Sequence, residues 1–347
     1  MDLPHRTRRA RAARLPGRTR HRGADGRACG RCDGVSGAVD VLTQDGRTAG
    51  VLLDGGREPS AHSPRPFLHP VLTPGGRTVS DYRPADHLWH WGLGIAVATI
   101  DVVGQEHPVN LWGGPTYVRG EGYVQLANNG SQRLRHDATS EDAMCQQLAW
   151  CAADGTAFLS EERTWSVGAV PVDGVEWFRT TVRSRWRNIS GGALVFGSPT
   201  TAGRPDAGYG GFFLRLAPTF DGADVVAADP DVDRLRAPGT GVRVHEAQAM
   251  GSTGPWLGMK SVDASVLMVQ EPGNPGGYSP WFVRSAGTPM LCAAPFFRTV
   301  MRLEPAGILD WSWSLLVADG AVGEAAFAEA ARVAVLPRRG SADTAAA

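Results

Sequence analysis

The 347-residue chain lacks any apolar run near the roughly 18 consecutive residues that a membrane-spanning helix needs. Its early apolar runs are too short and come too late for a secretory leader, so a cytoplasmic protein is expected. Cysteine is scarce: Cys29, Cys32, Cys145, Cys151 and Cys292 make five, an odd number without framework spacing. A disulfide-stapled scaffold is therefore excluded, and a reducing compartment fits. The pair Cys29 and Cys32 has no second pair to complete a zinc site. Net charge is also missing, although the balance is uneven. Residues 1–34 carry ten Arg against three Asp, which leaves 25 basic and 32 acidic groups in the remainder. An acidic body binds nucleic acid poorly, because phosphate contacts need clustered positive charge. Nucleotide signatures are absent too. Gly208-Tyr-Gly-Gly211 runs into the strand-like Phe212-Phe213-Leu214, where a phosphate cradle needs a helix start. Phe196-Gly-Ser198-Pro199 does not complete the G-x-S-x-G of a nucleophile elbow.

What is present is turn-forming and strand-forming. Glycine (44) and proline (24) are plentiful, while 42% hydrophobic and 20% charged residues describe a folded body. Asp45-Gly46 is a tight-turn dipeptide between Val39–Leu42 and Thr48–Leu53, which predicts a hairpin. Val175–Arg183 and Leu309-Asp-Trp311-Ser-Trp313-Ser-Leu315 alternate with the period of half-buried strands. Further strands are expected within 94–103, 145–152, 193–197, 212–216 and 265–269, and one helix over 323–333. Cys145, Cys151 and Cys292 fall in apolar strands and are expected in the core. The expected organisation is an Arg-rich disordered tail (1–36), a single β-domain (37–336) and a short disordered C-terminal tail (337–347). An all-β, two-layer antiparallel sandwich with one short C-terminal helix follows from repeated strands and short turns.

One segment concentrates polar chemistry. Three of the nine histidines, His69, His87 and His90, fall within 22 residues, beside Asp86, Arg65, Arg83, Trp89 and Trp91. Prolines 66, 70, 74 and 84 keep this segment extended or turning rather than helical. On a flat strand His87 and His90 point to opposite faces; in a loop they can converge. Converging imidazoles can carry protons near neutral pH, or hold a divalent metal. Metal-ligand spacings such as H-x-H or H-E-x-x-H are missing, so no cofactor is expected, and a divalent metal on His69, His87 and His90 is the alternative. Elsewhere, Glu162 is a carboxylate able to act with a histidine. Trp281 and Arg284 follow a Gly/Pro/Asn loop, and Arg204 and Tyr209 flank a glycine-rich turn.

The motifs Arg65-Pro-Phe-Leu-His69-Pro70, Asp86-His87-Leu-Trp-His90-Trp-Gly92 and Asn110-Leu-Trp112-Gly-Gly114 resemble the opening motifs of the bacterial PmoA-like family. Ser198–Arg204, Gly208–Arg215, Asn274-Pro275 and Trp281–Arg284 are similar to its later motifs, in the same order. Two positions depart from that pattern: Glu271-Pro272-Gly273 stands where relatives often have His-Pro, and Trp91 replaces a basic or small residue. The label "methane oxygenase" attached to that family implies a membrane copper enzyme, which a chain without a membrane span does not match. The resemblance implies a sandwich like the galactose mutarotases, and a place in carbohydrate catabolism. On this reading the partner is a small carbohydrate, with no nucleic acid or membrane and an open oligomeric state. His69, His87 and His90 would carry protons in an isomerisation, epimerisation or cleavage, with Asp86 orienting one ring and Glu162 assisting. Arg65, Trp112, Arg204, Tyr209, Trp281 and Arg284 would bind the substrate. A non-catalytic sugar-binding module is the alternative, and an accessory protein to an oxidoreductase a further one.

Overall fold

A computed structural model of the chain describes residues 40–140, 143–229 and 240–335. The expected tails, the Cys29/Cys32 pair and the ends of the expected domain lie outside these described residues. Within them, 21 strands, β1 to β21 in chain order, form four sheets. The hairpin signal is realised as β1 (Asp40–Gln44) and β2 (Arg47–Leu53). Its turn residues Asp45 and Gly46 take φ of 50° and 73°, the left-handed geometry that a two-residue hairpin turn requires.

The smaller main sheet has seven strands, ordered β1, β2, β3 (Phe67–Val71), β4 (Leu93–Ala96), β13 (Gly211–Arg215), β19 (Met290–Ala293) and β18 (Trp281–Arg284). The larger has nine, ordered β15 (Gly241–Val244), β14 (Asp224–Ala228), β16 (Trp256–Lys260), β17 (Ala264–Gln270), β21 (Ile308–Asp319), β11 (Val175–Asn188), β10 (Ala157–Val172), β9 (Met144–Cys151) and β8 (Ser131–Thr139). A three-stranded sheet joins β20 (Met301–Leu303), β12 (Leu194–Gly197) and β5 (Thr99–Asp101), and β6 (Thr116–Val118) pairs with β7 (Gly122–Val124). The strand pairs within these sheets are antiparallel. The fold is the two-layer antiparallel sandwich expected.

Alternation builds the core between the layers. Trp311, Trp313 and Leu315 of β21 point inward together, and Phe212 of β13 stacks on Trp313 at 5.4 Å, locking sheet to sheet. Each such side chain contributes about 1.5–3 kcal/mol on burial. One polar island sits within this core. Glu161 on β10 accepts from Arg163 Nε (2.6 Å), Trp150 Nε1 (2.6 Å) and Ser184 Oγ (2.6 Å), and Arg163 Nη2 reaches Gln132 Oε1 (2.8 Å).

Two outer faces remain. That of the larger sheet is partly covered by the C-terminal helix (Glu324–Val335), a residue or two beyond the expected span. Its Phe327 meets Trp177 of β11 edge-on at 5.3 Å. The outer face of the smaller sheet carries a separate cluster that includes Phe213, Phe282, Cys292 and Trp112. Cys151 and Cys292 are buried as expected, but Cys145 is exposed, because its place in β9 alternates outward between Met144 and Gln146. No helix among the described residues is long and apolar enough to cross a membrane.

Candidate functional site

The outer face of the smaller sheet is where the polar motifs gather. The link between β3 and β4 crosses this face through two successive turns. His87 N donates to Pro84 O (2.9 Å), and His90 N donates to His87 O (2.9 Å). Residues three apart in such tight turns eclipse one another. His87 and His90 therefore stack, with ring centroids 4.5 Å apart and planes at 21°. Gly92 closes the link at φ 39°, where a Cβ would stand 2.1 Å from Leu68 O; only glycine allows that approach.

Asp86 accepts a 2.7 Å hydrogen bond from His87 Nδ1, which leaves Nε2 of that ring as the proton-accepting nitrogen. Burial pushes the Asp86 carboxyl up, but the hydrogen bond and charge of His87, with the charge of Arg215, outweigh it and hold the group below its ordinary value. His90 is buried between His87, Trp112 (5.2 Å) and Phe213 (5.3 Å). Burial, then the charges of His87, Arg215 and Arg65, push its pKa well below the ordinary histidine value, so it is neutral. Its Nδ1 has no hydrogen-bond partner.

Arg215 was not anticipated. It alternates outward on β13, beside Phe213, and is only 4% exposed. Its guanidinium lies 3.9 Å from Asp86 and 3.9 Å from Asp81, while Nε and Nη1 make no hydrogen bond. Burial lowers its pKa, and the two aspartates offset part of that. An arginine between apolar strand residues looks like an ordinary solvent-facing position in the sequence. The signal available was its place in the Gly208–Arg215 motif.

The remaining wall is aromatic. Asn110 accepts from the backbone N–H groups of Trp112 and Gly113 (both 2.9 Å) and donates to Gly114 O (3.2 Å). That turn lays Trp112 against His90 and, at 4.6 Å, against Tyr209. Tyr209 and Tyr123 share a 2.9 Å hydrogen bond through their hydroxyls, and Arg204 donates to Tyr123 while covering its ring at 4.7 Å. Burial, with Tyr123 beside it, pushes the Tyr209 hydroxyl well above its ordinary value. Asp86, His87, His90, Trp112, Tyr209 and Arg204 thus form one contiguous set, with Arg215 and Tyr123 added by the structure.

His69 lies on the same outer face but is set apart. Its Nδ1 shares a 2.8 Å hydrogen bond with Ser80 Oγ, and its ring stacks on Tyr82 at 5.5 Å. Burial lowers its pKa, with Asp81 acting the other way. The expected convergence of three histidines is thus a convergence of two. Among the described residues no group of three His, Cys, Asp or Glu is placed to hold a metal ion, and the stacked rings face each other rather than a common point. Arg284 also lies on the outer face, but it pairs with Glu246 (3.3 Å) and touches none of the set.

Three expectations are corrected. Arg65 does not reach a ligand: it is 2% exposed and spends its donors on the carbonyls of His62 (3.1 Å), Ser63 (2.9 Å) and Trp89 (2.7 Å). Burial and the charge of Arg163 lower its pKa to about 9. It braces the link that carries His87 and His90. Trp281 points inward from β18 into the core between the sheets. Glu162 sits on β10, exposed on the outer face of the opposite sheet, and cannot act with these histidines.

The family model for DUF6807, described as a family of unknown function, matches residues 39–332. The chain belongs to that family. No curated protein matches this DUF6807 member. Among solved structures, it is similar to the Slr1438 protein from Synechocystis sp. PCC 6803, at 9% identity over 81% of this chain and 96% of that one, with a TM-score of 0.41. A candidate aldose 1-epimerase from Escherichia coli K12 is 11% identical over 81% of this chain and 99% of that one, at 0.39. The α-galactosidase from Lactobacillus brevis is 8% identical at 0.37 over 82% of this chain, which spans only 40% of that enzyme.

Proposed function

We propose that the outer face of the smaller sheet is a carbohydrate site that works by acid–base chemistry, isomerising, epimerising or cleaving a sugar or an oxidised sugar. The observation that carries this reading is the Asp86–His87 pair beside Arg215. Asp86 fixes the tautomer and orientation of His87, and Nε2 of His87 takes the proton from a sugar hydroxyl or a carbon acid. The buried Nε and Nη1 of Arg215 make no hydrogen bond, and a ligand oxygen would satisfy them. Unpartnered buried donors cost about 1–3 kcal/mol, which binding would recover. His90, neutral and stacked on His87, backs the proton-accepting ring without competing for its charge. Tyr209, half-buried, offers apolar ring area for a sugar face with the buried Trp112 packed behind it, and Tyr123 with Arg204 offers polar edges. His69 and Arg284, on the same face, stand at its margins. The motif resemblance to the PmoA-like family adds the carbohydrate context, and we carry over that context without the oxygenase label.

A thermal-shift screen against mono- and disaccharides, including lactones and keto sugars, identifies the ligand. His87→Ala is then measured for binding and for turnover on that ligand. Loss of the proton carrier lowers turnover by roughly two orders of magnitude or more, with a smaller change in affinity. If the native protein binds a sugar and never converts it, the site is a binding module. If it binds no carbohydrate, the proposal fails.

A further inference from the structure

The opposite side of the sandwich carries a second polar surface. The C-terminal helix packs near Val170, Val172 and Trp177, which leaves the other end of β8 to β11 uncovered on the outer face. A cleft of about 440 Å³ opens there, lined among others by Arg135, Gln147, Ser160, Glu162, Arg185 and Arg187.

The sequence builds this cleft by alternation. Along β11, Val182, Ser184 and Trp186 are buried, so Arg183, Arg185 and Arg187 all face outward. Successive outward residues on a strand are about 6.5–7 Å apart, so the arginines form an evenly spaced ladder. Glu162 pairs in register with Arg185, Ser160 with Arg187, and Gln147 with Glu162. On the far wall Arg135 of β8 is exposed, where a bulge between Leu134 and His136 leaves two successive residues facing outward. β8 and β11 lie three strand spacings apart, about 14 Å, so guanidinium groups reach over a Gln/Ser/Glu floor from both sides.

Apart from Arg135, which lies against the Cys151 thiol, these charges have little to do inside the protein. Among the described residues neither Arg187 nor Glu162 makes a side-chain hydrogen bond or ion pair. Arg185 has only Asp310 at 3.8 Å, and both side chains are more than half exposed. Such exposed pairs are worth little. The cleft is therefore a local excess of guanidinium on an otherwise acidic body.

Its chemistry selects a ligand. Planar guanidinium forks match carboxylates in a bidentate manner. Glu162 can only accept hydrogen bonds, so it favours an anion that brings hydroxyl donors beside its charge. A nucleic-acid backbone offers Glu162 few donors. A uronic acid offers a carboxylate and several hydroxyls on one ring. We propose that this cleft binds a uronate-bearing saccharide. The inference is independent of the histidine site, whose failure would leave it standing.

The test is calorimetric titration of the full chain at low salt with trigalacturonate, neutral galactotriose and a short single-stranded oligonucleotide. Trigalacturonate should bind and galactotriose should not, and added salt should weaken the binding. The double variant R185A/R187A should lose roughly tenfold or more in affinity, the scale of one charge-assisted pair. R135A, on the other wall, should also weaken it, while H87A should leave it unchanged. Equal binding of the oligonucleotide, or binding of galactotriose that R185A/R187A abolishes, overturns the proposal. So does an unchanged affinity in R185A/R187A and R135A, or a loss in H87A, which would move the uronate to the histidine face. Sedimentation completes the test: a native dimer that dissociates in R185E/R187E would make this face a contact between copies and overturn the proposal as well.

Discussion

The rings of His87 and His90 stack 4.5 Å apart, and only one of them is buried. Two imidazolium ions at that distance would repel each other. The pair therefore divides its work, with a half-exposed ring open to solvent and a sealed ring held neutral behind it. The division arises from burial: the same loop that half-exposes His87 encloses His90 between Trp112 and Phe213.

That enclosure sets a pH dependence of stability. His62, His69 and His90 all have pKa values below the ordinary histidine value, with burial the leading cause. The unfolded chain takes up their protons below about pH 6.5, whereas the folded chain takes them up only at lower pH. The unfolded state thus binds more protons in that window, so stability is complete above about pH 6.5 and falls as pH drops through it. Asp101 and Glu271, whose carboxyls burial raises, act in the opposite sense, but only nearer the carboxylate range. The urea midpoint should decline from about pH 7.5 to about pH 5.5, and His90→Gln should flatten the decline. A midpoint that stays level in the native protein over that interval would refute the neutral buried ring.

Glu161 and Glu162 are sequence neighbours with opposite fates. Glu161 is 2% exposed and balances the buried Arg163, while Glu162 faces solvent. Glu161→Ala leaves a buried cation unpaired and should cost about 3–5 kcal/mol. Glu162→Ala should change stability by less than about 0.5 kcal/mol. Chemical denaturation of the two variants checks the contrast, and similar losses in both would mean that the register of β10 is wrong.

The C-terminal helix is part of the fold rather than an appendage. Phe327 is fully buried against Trp177 and Trp256. Phe327→Ala should cost about 3–5 kcal/mol, the range for an emptied aromatic site. A change under about 1 kcal/mol would show that the helix does not hold its place on the sheet.

Local sequence determined much of this protein. Asp45-Gly46 made its hairpin because left-handed backbone is easy there, and Leu309–Leu315 became a strand because alternate tryptophans need one buried face. The crowding of Asp86, His87 and His90 was legible, because turns three residues long bring side chains together without help from distant chain. What the sequence left open was which face of each strand meets which layer. Alternation defines two faces but does not say whether the second is covered, exposed or enclosed. Trp281 therefore read as a binding residue and proved to be core, and Arg65 read as a ligand contact although its donors go to carbonyls of the loop. Glu162 and the histidines were separated because β10 and β3 belong to different sheets. Arg215 joined the histidines because β13 pairs with β4, and that pairing spans more than a hundred residues of chain. Tertiary pairing decided these cases because burial and desolvation are properties of the assembled layers, and no single strand contains the partner that imposes them.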